Sequence, residues 1–179
     1  MQLRKFNETK GKVYWITGLS GAGKTTIGKE LYNYIKARKD NIVFLDGDIA
    51  RKAYLEDLGY TSDERIRGAY RTSRICNMLS DQGIDVIICI IAMYDEIRRW
   101  NRENIENYIE VFLDVPMEVL IERDQKSLYS SVLNGKIENV AGMDMNVEYP
   151  VQPDLKILND GSKTPEEIVQ QLASMFIDV

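Results

Sequence analysis

The chain has no histidine. That absence excludes Ser-His-Asp and Cys-His nucleophilic catalysis and every histidine-containing zinc site. Any proton transfer falls to carboxylates, lysine, tyrosine or water. Cysteine is scarce too: Cys76 and Cys89 are the only two. They are too few for a disulfide framework, suit a reducing compartment, and read as ordinary packing residues. No apolar run approaches the ~18 residues needed to cross a bilayer; the longest, Val86 to Met93, suits a buried strand. The first twelve residues are polar and lack the apolar stretch of a signal peptide, so a cytoplasmic location is expected. Excess charge is small, with 23 basic against 28 acidic residues and a net charge of −5. This balance argues against nonspecific nucleic-acid binding, yet it leaves room for a local basic pocket holding a phosphorylated small molecule. Neither a nucleic-acid nor a membrane partner is expected.

What is present fits one globular domain over residues 1–179: 44% of the chain is hydrophobic and 28% charged. Repeats and low-complexity tracts are missing. Short apolar runs, expected as strands at Lys12–Thr17, Asn41–Asp46, Ile84–Ile91, Ile109–Asp114 and Leu155–Leu158, alternate with amphipathic stretches. The first four runs are nearly continuous, as in strands covered on both faces. Ile27, Leu31 and Ile35 share one helical face. Ser62 is the expected cap of a helix opening on Asp63 and Glu64. Pro116 fits the first turn of a helix carrying Val119 and Leu120. Thr164, Pro165 and Glu167 form a capping box before the stripe Ile168, Leu172, Phe176. Such alternation predicts an α/β fold in three layers, with a central parallel sheet of about five strands and ligands at the strands' carboxyl ends. Residues 125–153 are polar and aperiodic, and read as a lid that closes over bound ligands.

Gly18-Leu19-Ser20-Gly21-Ala22-Gly23-Lys24-Thr25 matches the phosphate-binding loop G-x-x-x-x-G-K-[ST] in full, between an expected strand and an expected helix. Its glycines let successive N–H groups turn inward around phosphate oxygens. Gly18, Ser20, Gly21, Ala22, Gly23, Lys24, Thr25 and Thr26 are the expected ATP-binding residues. Lys24 reaches the β- and γ-phosphates, and Thr25 offers its hydroxyl to Mg²⁺. No N-K-x-D guanine-reading motif occurs. The second expected strand ends in Leu45-Asp46-Gly47-Asp48, with Arg51 beyond it. Two carboxylates at that end suit a water-held Mg²⁺ and a base for an attacking hydroxyl; which aspartate does which stays open.

The ordered set GLSGAGKTT, LDGD with Arg51, Asp57-Leu58-Gly59-Tyr60 with Arg65, Val111-Phe112-Leu113-Asp114 and Arg123-Asp124-Gln125-Lys126-Ser127-Leu128-Tyr129 resembles the adenylyl-sulfate (APS) kinase family of P-loop kinases. The last stretch is similar to the family's R-D-x-K-G-L-Y. The likeness spans roughly residues 11 to 170. It implies phosphoryl transfer from ATP to the 3′-hydroxyl of a nucleotide, adenylyl sulfate first of all. By this resemblance Lys24, Asp46, Asp48 and Lys126 are catalytic, and Arg123 stacks on the donor base. Arg51, Arg65 and Arg71 hold the acceptor's anionic part, Tyr60 stacks on its base, and Ile91 and Val140 complete its pocket. Arg67 and Arg74 read as an exposed basic face. The family often forms homodimers.

The acceptor side departs from the family. Asn-Ile-Arg-Arg becomes Gly68-Ala69-Tyr70-Arg71, Ile-Ser-Pro becomes Ile91-Ala92-Met93, the lid aromatic becomes Val140, and a tyrosine-glutamate pair becomes Val147-Glu148. Losing one stacking face removes ~1–3 kcal/mol of base binding. A smaller pyrimidine, or another group in place of sulfate, is the alternative expectation for the acceptor. The resemblance extends to bacterial relatives that act on cytidine diphosphoramidate in capsule synthesis, and implies that compound as the alternative to adenylyl sulfate. A nucleotide-binding module without turnover is the alternative of another class; the intact Lys24, Thr25, Asp46 and Asp48 speak against it.

Overall fold

A computed structural model describes residues 5–177. Five strands, β1 (Val13–Thr17), β2 (Ile42–Asp46), β3 (Asp85–Ile90), β4 (Tyr108–Asp114) and β5 (Leu155–Leu158), form one parallel sheet in the order β2-β3-β1-β4-β5. The α-helices are α1 (Lys24–Lys36), α2 (Gly47–Tyr54), α3 (Ser62–Asp81), α4 (Asp95–Asn104), α5 (Met117–Arg123), α6 (Leu128–Leu133) and α7 (Pro165–Phe176). A short 3₁₀ turn, Gln125–Ser127, joins α5 to α6. No helix among the described residues is long and apolar enough to cross a membrane.

Successive strand residues point to opposite faces, and both faces are apolar. Val13, Trp15, Val86 and Ile88 pack with Ala69 and Cys76 of α3 and Ile97 of α4. Tyr14, Ile16, Ile87, Cys89, Ile109 and Val111 pack on the other side with Ile27, Leu31 and Ile35 of α1 and Ile168, Leu172 and Phe176 of α7. Each buried valine, leucine, isoleucine or phenylalanine among them contributes roughly 1.5–3 kcal/mol. The crossover after β1 runs past β3 to β2, whereas the one after β3 runs past β1 to β4. The two chains leave the sheet in opposite directions, and a crevice opens between their carboxyl ends.

Three helices escape the sequence patterns, and each has a reason. The only buried residue of α2 is Ala50, so the helix has no apolar stripe; it is held instead by Asp46, whose carboxylate accepts from the Asp48 N–H at 3.0 Å. The buried positions of α4 are Ile97, Arg98 and Asn101, a face too polar to read as amphipathic. Beneath it Glu110 of β4 is buried, and its carboxylate accepts from Arg102 at 2.8 Å. The third, α6, lies in the segment expected as a loop: residues 125–153 open with the 3₁₀ turn and α6 before becoming irregular.

Two caps are corrected. Thr61, not Ser62, caps α3, and it forms a full capping box with Glu64. Pro116 sits at the cap of α5 rather than in its first turn. The box at Thr164 and Glu167 is present as expected.

Gly28 fixes how closely α1 lies on the sheet. A β-carbon there would sit 2.3 Å from Cys89 Sγ and 3.0 Å from the Phe44 ring. Gly28→Ala is expected to cost roughly 1–3 kcal/mol of overpacking, outweighing the ~1 kcal/mol gain in helix propensity. The urea midpoint should fall, and Cys89→Ala in the same chain should recover part of the loss. An equal loss in both backgrounds would locate the cost elsewhere.

Candidate functional site

The loop after β1 turns on glycines in the left-handed region: Gly21 at φ 75° and Gly23 at φ 88°. Gly23 caps α1 without any side-chain acceptor for the helix's first N–H groups. Those donors and the positive end of the helix dipole together make an anion site. Lys24 folds back, its Nζ donating to the Leu19 carbonyl at 2.7 Å. Burial pulls its ammonium down to about 8. Thr25 Oγ1 donates to Asp46 Oδ2 at 2.6 Å. The same Asp46 caps α2 and sets Asp48 in its first turn, where Asp48 Oδ2 accepts from Lys126 Nζ at 2.7 Å. That hydrogen bond is also the main cause of a raised Lys126 ammonium pKa.

Around these groups lie two clefts. The first, of about 530 Å³, is lined by Ser20, Gly21, Gly23, Lys24, Thr25, Thr26, Asp46, Asp48, Arg123 and Lys126, with Ile91 at its side. A second, of about 470 Å³, is lined by Arg51, Tyr60, Arg65, Gly68, Ala69 and Val140. Asp48, Gln125, Lys126 and Ile91 line both. The wall between the clefts is thus a carboxylate and an ammonium already in contact.

The expected residues distribute as follows. Gly18 and Ala22 shape the loop from behind rather than lining a cleft: a β-carbon on Gly18 would meet the Leu113 carbonyl at 2.7 Å, and the Ala22 carbonyl accepts from Asn159 at 2.8 Å. Arg123 spans the first cleft's edge, donating to the carbonyls of Gly21 and Asn159. Tyr60 lies beneath two guanidinium groups, that of Arg51 at 4.2 Å and that of Arg65 at 5.4 Å from its ring centre. Arg65 also donates to the Tyr60 and Asn139 carbonyls. The structure does not bring Arg71 into either cleft; its guanidinium makes a two-pronged pair with Asp57 at 2.5 and 2.8 Å.

Sequence reasoning missed Asn159, which follows β5 and lines the first cleft, and Gln125. A polar residue just past a parallel strand's carboxyl end is the signal that would have found Asn159. The turn carrying Gln125 is strained: Asp124, Lys126 and Ser127 all have positive φ, at 30°, 62° and 54°. Left-handed backbone at non-glycine residues gathers where a site over-determines it. Within the segment 125–153, Glu148 binds the start of α4, its N–H donating to the Met93 carbonyl and its carboxylate accepting from the Asp95 N–H.

Among the described residues no cluster of three or more carboxylate, thiol or imidazole groups forms a cation cage. Mg²⁺ needs none where phosphates and water supply most ligands. The Thr25 hydroxyl and the Asp46 and Asp48 carboxylates are the hard oxygen donors that suit it.

A family model described as adenylylsulphate kinase matches residues 10–158. A cytidine diphosphoramidate kinase of Campylobacter jejuni is 40% identical over 158 residues, covering 88% of this chain and 92% of that protein. An adenylyl-sulfate kinase of Halothermothrix orenii is 37% identical, covering 94% of this chain and 89% of that protein. The Mycobacterium tuberculosis APS kinase, solved with AMPPNP and APS, superposes with a TM-score of 0.87 at 28% identity, over 94% of this chain and 99% of that one.

The lowered ammonium of Lys24 has a stability consequence. Its folded value of about 8 lies below the ordinary 10.5. Between those values the unfolded chain binds more protons, so stability rises with pH across that window. Below it the penalty amounts to about 3 kcal/mol. Lys24→Met should therefore raise the melting temperature of the ligand-free protein by several degrees at pH 7. The advantage should shrink as pH climbs toward 10, as followed by thermal denaturation.

Proposed function

The chain belongs to the adenylylsulphate kinase family and is a nucleotide kinase, and from that premise we propose that it transfers the γ-phosphoryl group of ATP to the 3′-hydroxyl of adenylyl sulfate. The observation that carries this reading is the shared wall. Asp48 and Lys126 border both the glycine-loop cleft and the arginine-tyrosine cleft, so a hydroxyl in one faces a phosphate tail in the other.

In this mechanism the loop's N–H groups and Lys24 grip the donor's β- and γ-phosphates. Arg123 lies against the donor base. Arg51 and Arg65 hold the acceptor's anionic arm, and Tyr60 and Val140 bracket its base. Asp48 takes the proton of the attacking hydroxyl while Asp46, fixed by Thr25, orders water beside it. Thr25, Asp46 and Asp48 would hold Mg²⁺ directly or through water, and the ion would supply positive charge against the donor's phosphates. Lys126 leaves Asp48 to meet the negative charge spread over the transferred group. Most of the rate then comes from positioning and fixed charge. The reading carries a cytoplasmic, homodimeric enzyme with it.

A second acceptor, cytidine diphosphoramidate, is favoured by two observations: the Campylobacter relative of that name, and Val140 where an aromatic would give adenine its second stacking face. A coupled assay of ADP release separates the two. Adenylyl sulfate should support the larger kcat/KM; a preference for the cytidine compound would transfer the assignment to it, and ADP release with neither would end the kinase reading.

Two variants test the roles. Lys24→Ala should abolish turnover. Asp48→Asn should lower kcat by roughly 100-fold or more, the scale of general-base loss, with ATP affinity by calorimetry nearly unchanged. A loss confined to affinity would make Asp48 a binding residue only.

A further inference from the structure

The second cleft holds several polar side chains, and most are already engaged. Glu64 closes the capping box of α3 with Thr61. Arg65 is tied to two carbonyls. Arg51 donates to the Leu58 carbonyl and lies over Tyr60. Asp48 and Lys126 hold each other.

Asn139 is different. It lines the cleft beside Val140, and its backbone is in the left-handed region at φ 64°. Three contacts hold it there. The Asp144 carboxylate accepts from the N–H groups of Asn139 and Val140 at 2.7 and 2.6 Å, and Arg65 Nη2 donates to the Asn139 carbonyl at 2.8 Å. Both backbone groups are thereby occupied, whereas the side-chain amide makes no hydrogen bond among the described residues. Glycine is the residue of least cost at such a φ; an asparagine there adds a donor and an acceptor on a carbon that is held in place.

We propose that Asn139 reads the base of the acceptor nucleotide, its amide pairing with an edge that carries an exocyclic amino group beside a ring nitrogen. The inference rests on the acceptor cleft assigned above. With the attacking hydroxyl at Asp48 and the base between Tyr60 and Val140, the edge of the base falls to the segment Glu138–Val140. The amide Oδ1 accepts from the amino group and Nδ2 donates to the ring nitrogen, a two-point match that adenine and cytosine share. Asn139 is then a specificity residue common to both proposed acceptors.

The test compares the preferred acceptor with its analogue in which hydrogen replaces the amino group. The amide cannot restore the lost bond by rotating. The wild-type protein should lose roughly tenfold or more in kcat/KM on the analogue, the scale of one base-edge contact. Asn139→Gly keeps the backbone geometry and removes the amide, so it should bring the two acceptors to within about twofold while its melting temperature holds or rises. Dissociation constants of both acceptors, measured by calorimetry, give the same ratio if transfer by the variant is too slow to follow. Equal use of both acceptors by the wild type, or a preference that survives in Asn139→Gly, would overturn the proposal and leave the 3′-kinase reading intact. Failure of the wild type to phosphorylate any nucleotide would overturn that reading and this inference with it.

Discussion

The Thr25 hydroxyl donates to the Asp46 carboxylate across 2.6 Å, and through it the glycine loop is tied to the end of β2. The sheet supplies the two ends, since β1 and β2 flank β3. Asp46 in turn caps α2 and sets Asp48 one residue into that helix. Asp48 meets Lys126, which hangs from the strained turn after α5. One chain of contacts thus runs from the phosphate loop to the wall between the clefts. Its members come from four different elements, and only a parallel sheet with its strand ends aligned brings them together.

The arrangement is electrostatically asymmetric. The loop offers backbone dipoles and one partly buried ammonium, which suits a polyphosphate. The neighbouring cleft offers guanidinium groups around a phenol ring, which suits a smaller anion attached to a flat base. Only some of the departures from family residues reach that second cleft. Gly68 and Ala69 line the cleft there, and Val140 closes it without a ring. Tyr70 faces away, its hydroxyl on Glu96 and its ring against Trp100.

Much of this was legible in the sequence because the signals were local. The eight-residue loop, the apolar strands and the Thr164 box are set by neighbours along the chain, and the strands fall within a residue or so of expectation. The missed features depend on distant partners. Burial of Arg98 and Asn101 in α4 makes sense only with Glu110 beneath the helix. Asn159 meets the loop from more than a hundred residues away, and no spacing rule announces it. Arg71 shows the reverse: its helix and charge were legible, but its pairing with Asp57 was not. Thr61 and Ser62 are chemically close to equal as caps, and the reach of Glu64 decides between them.

Cys89 donates its thiol proton to the Lys24 carbonyl at 3.1 Å, and burial pushes the group up to about 12. Cys76, sealed between α3 and the sheet, is raised as far. Oxidants and alkylating agents attack thiolate, which neither position supplies near neutrality. The sulfur atom beside the phosphate loop is therefore a neutral thiol near neutrality, and it fills the space that Gly28 leaves open under α1.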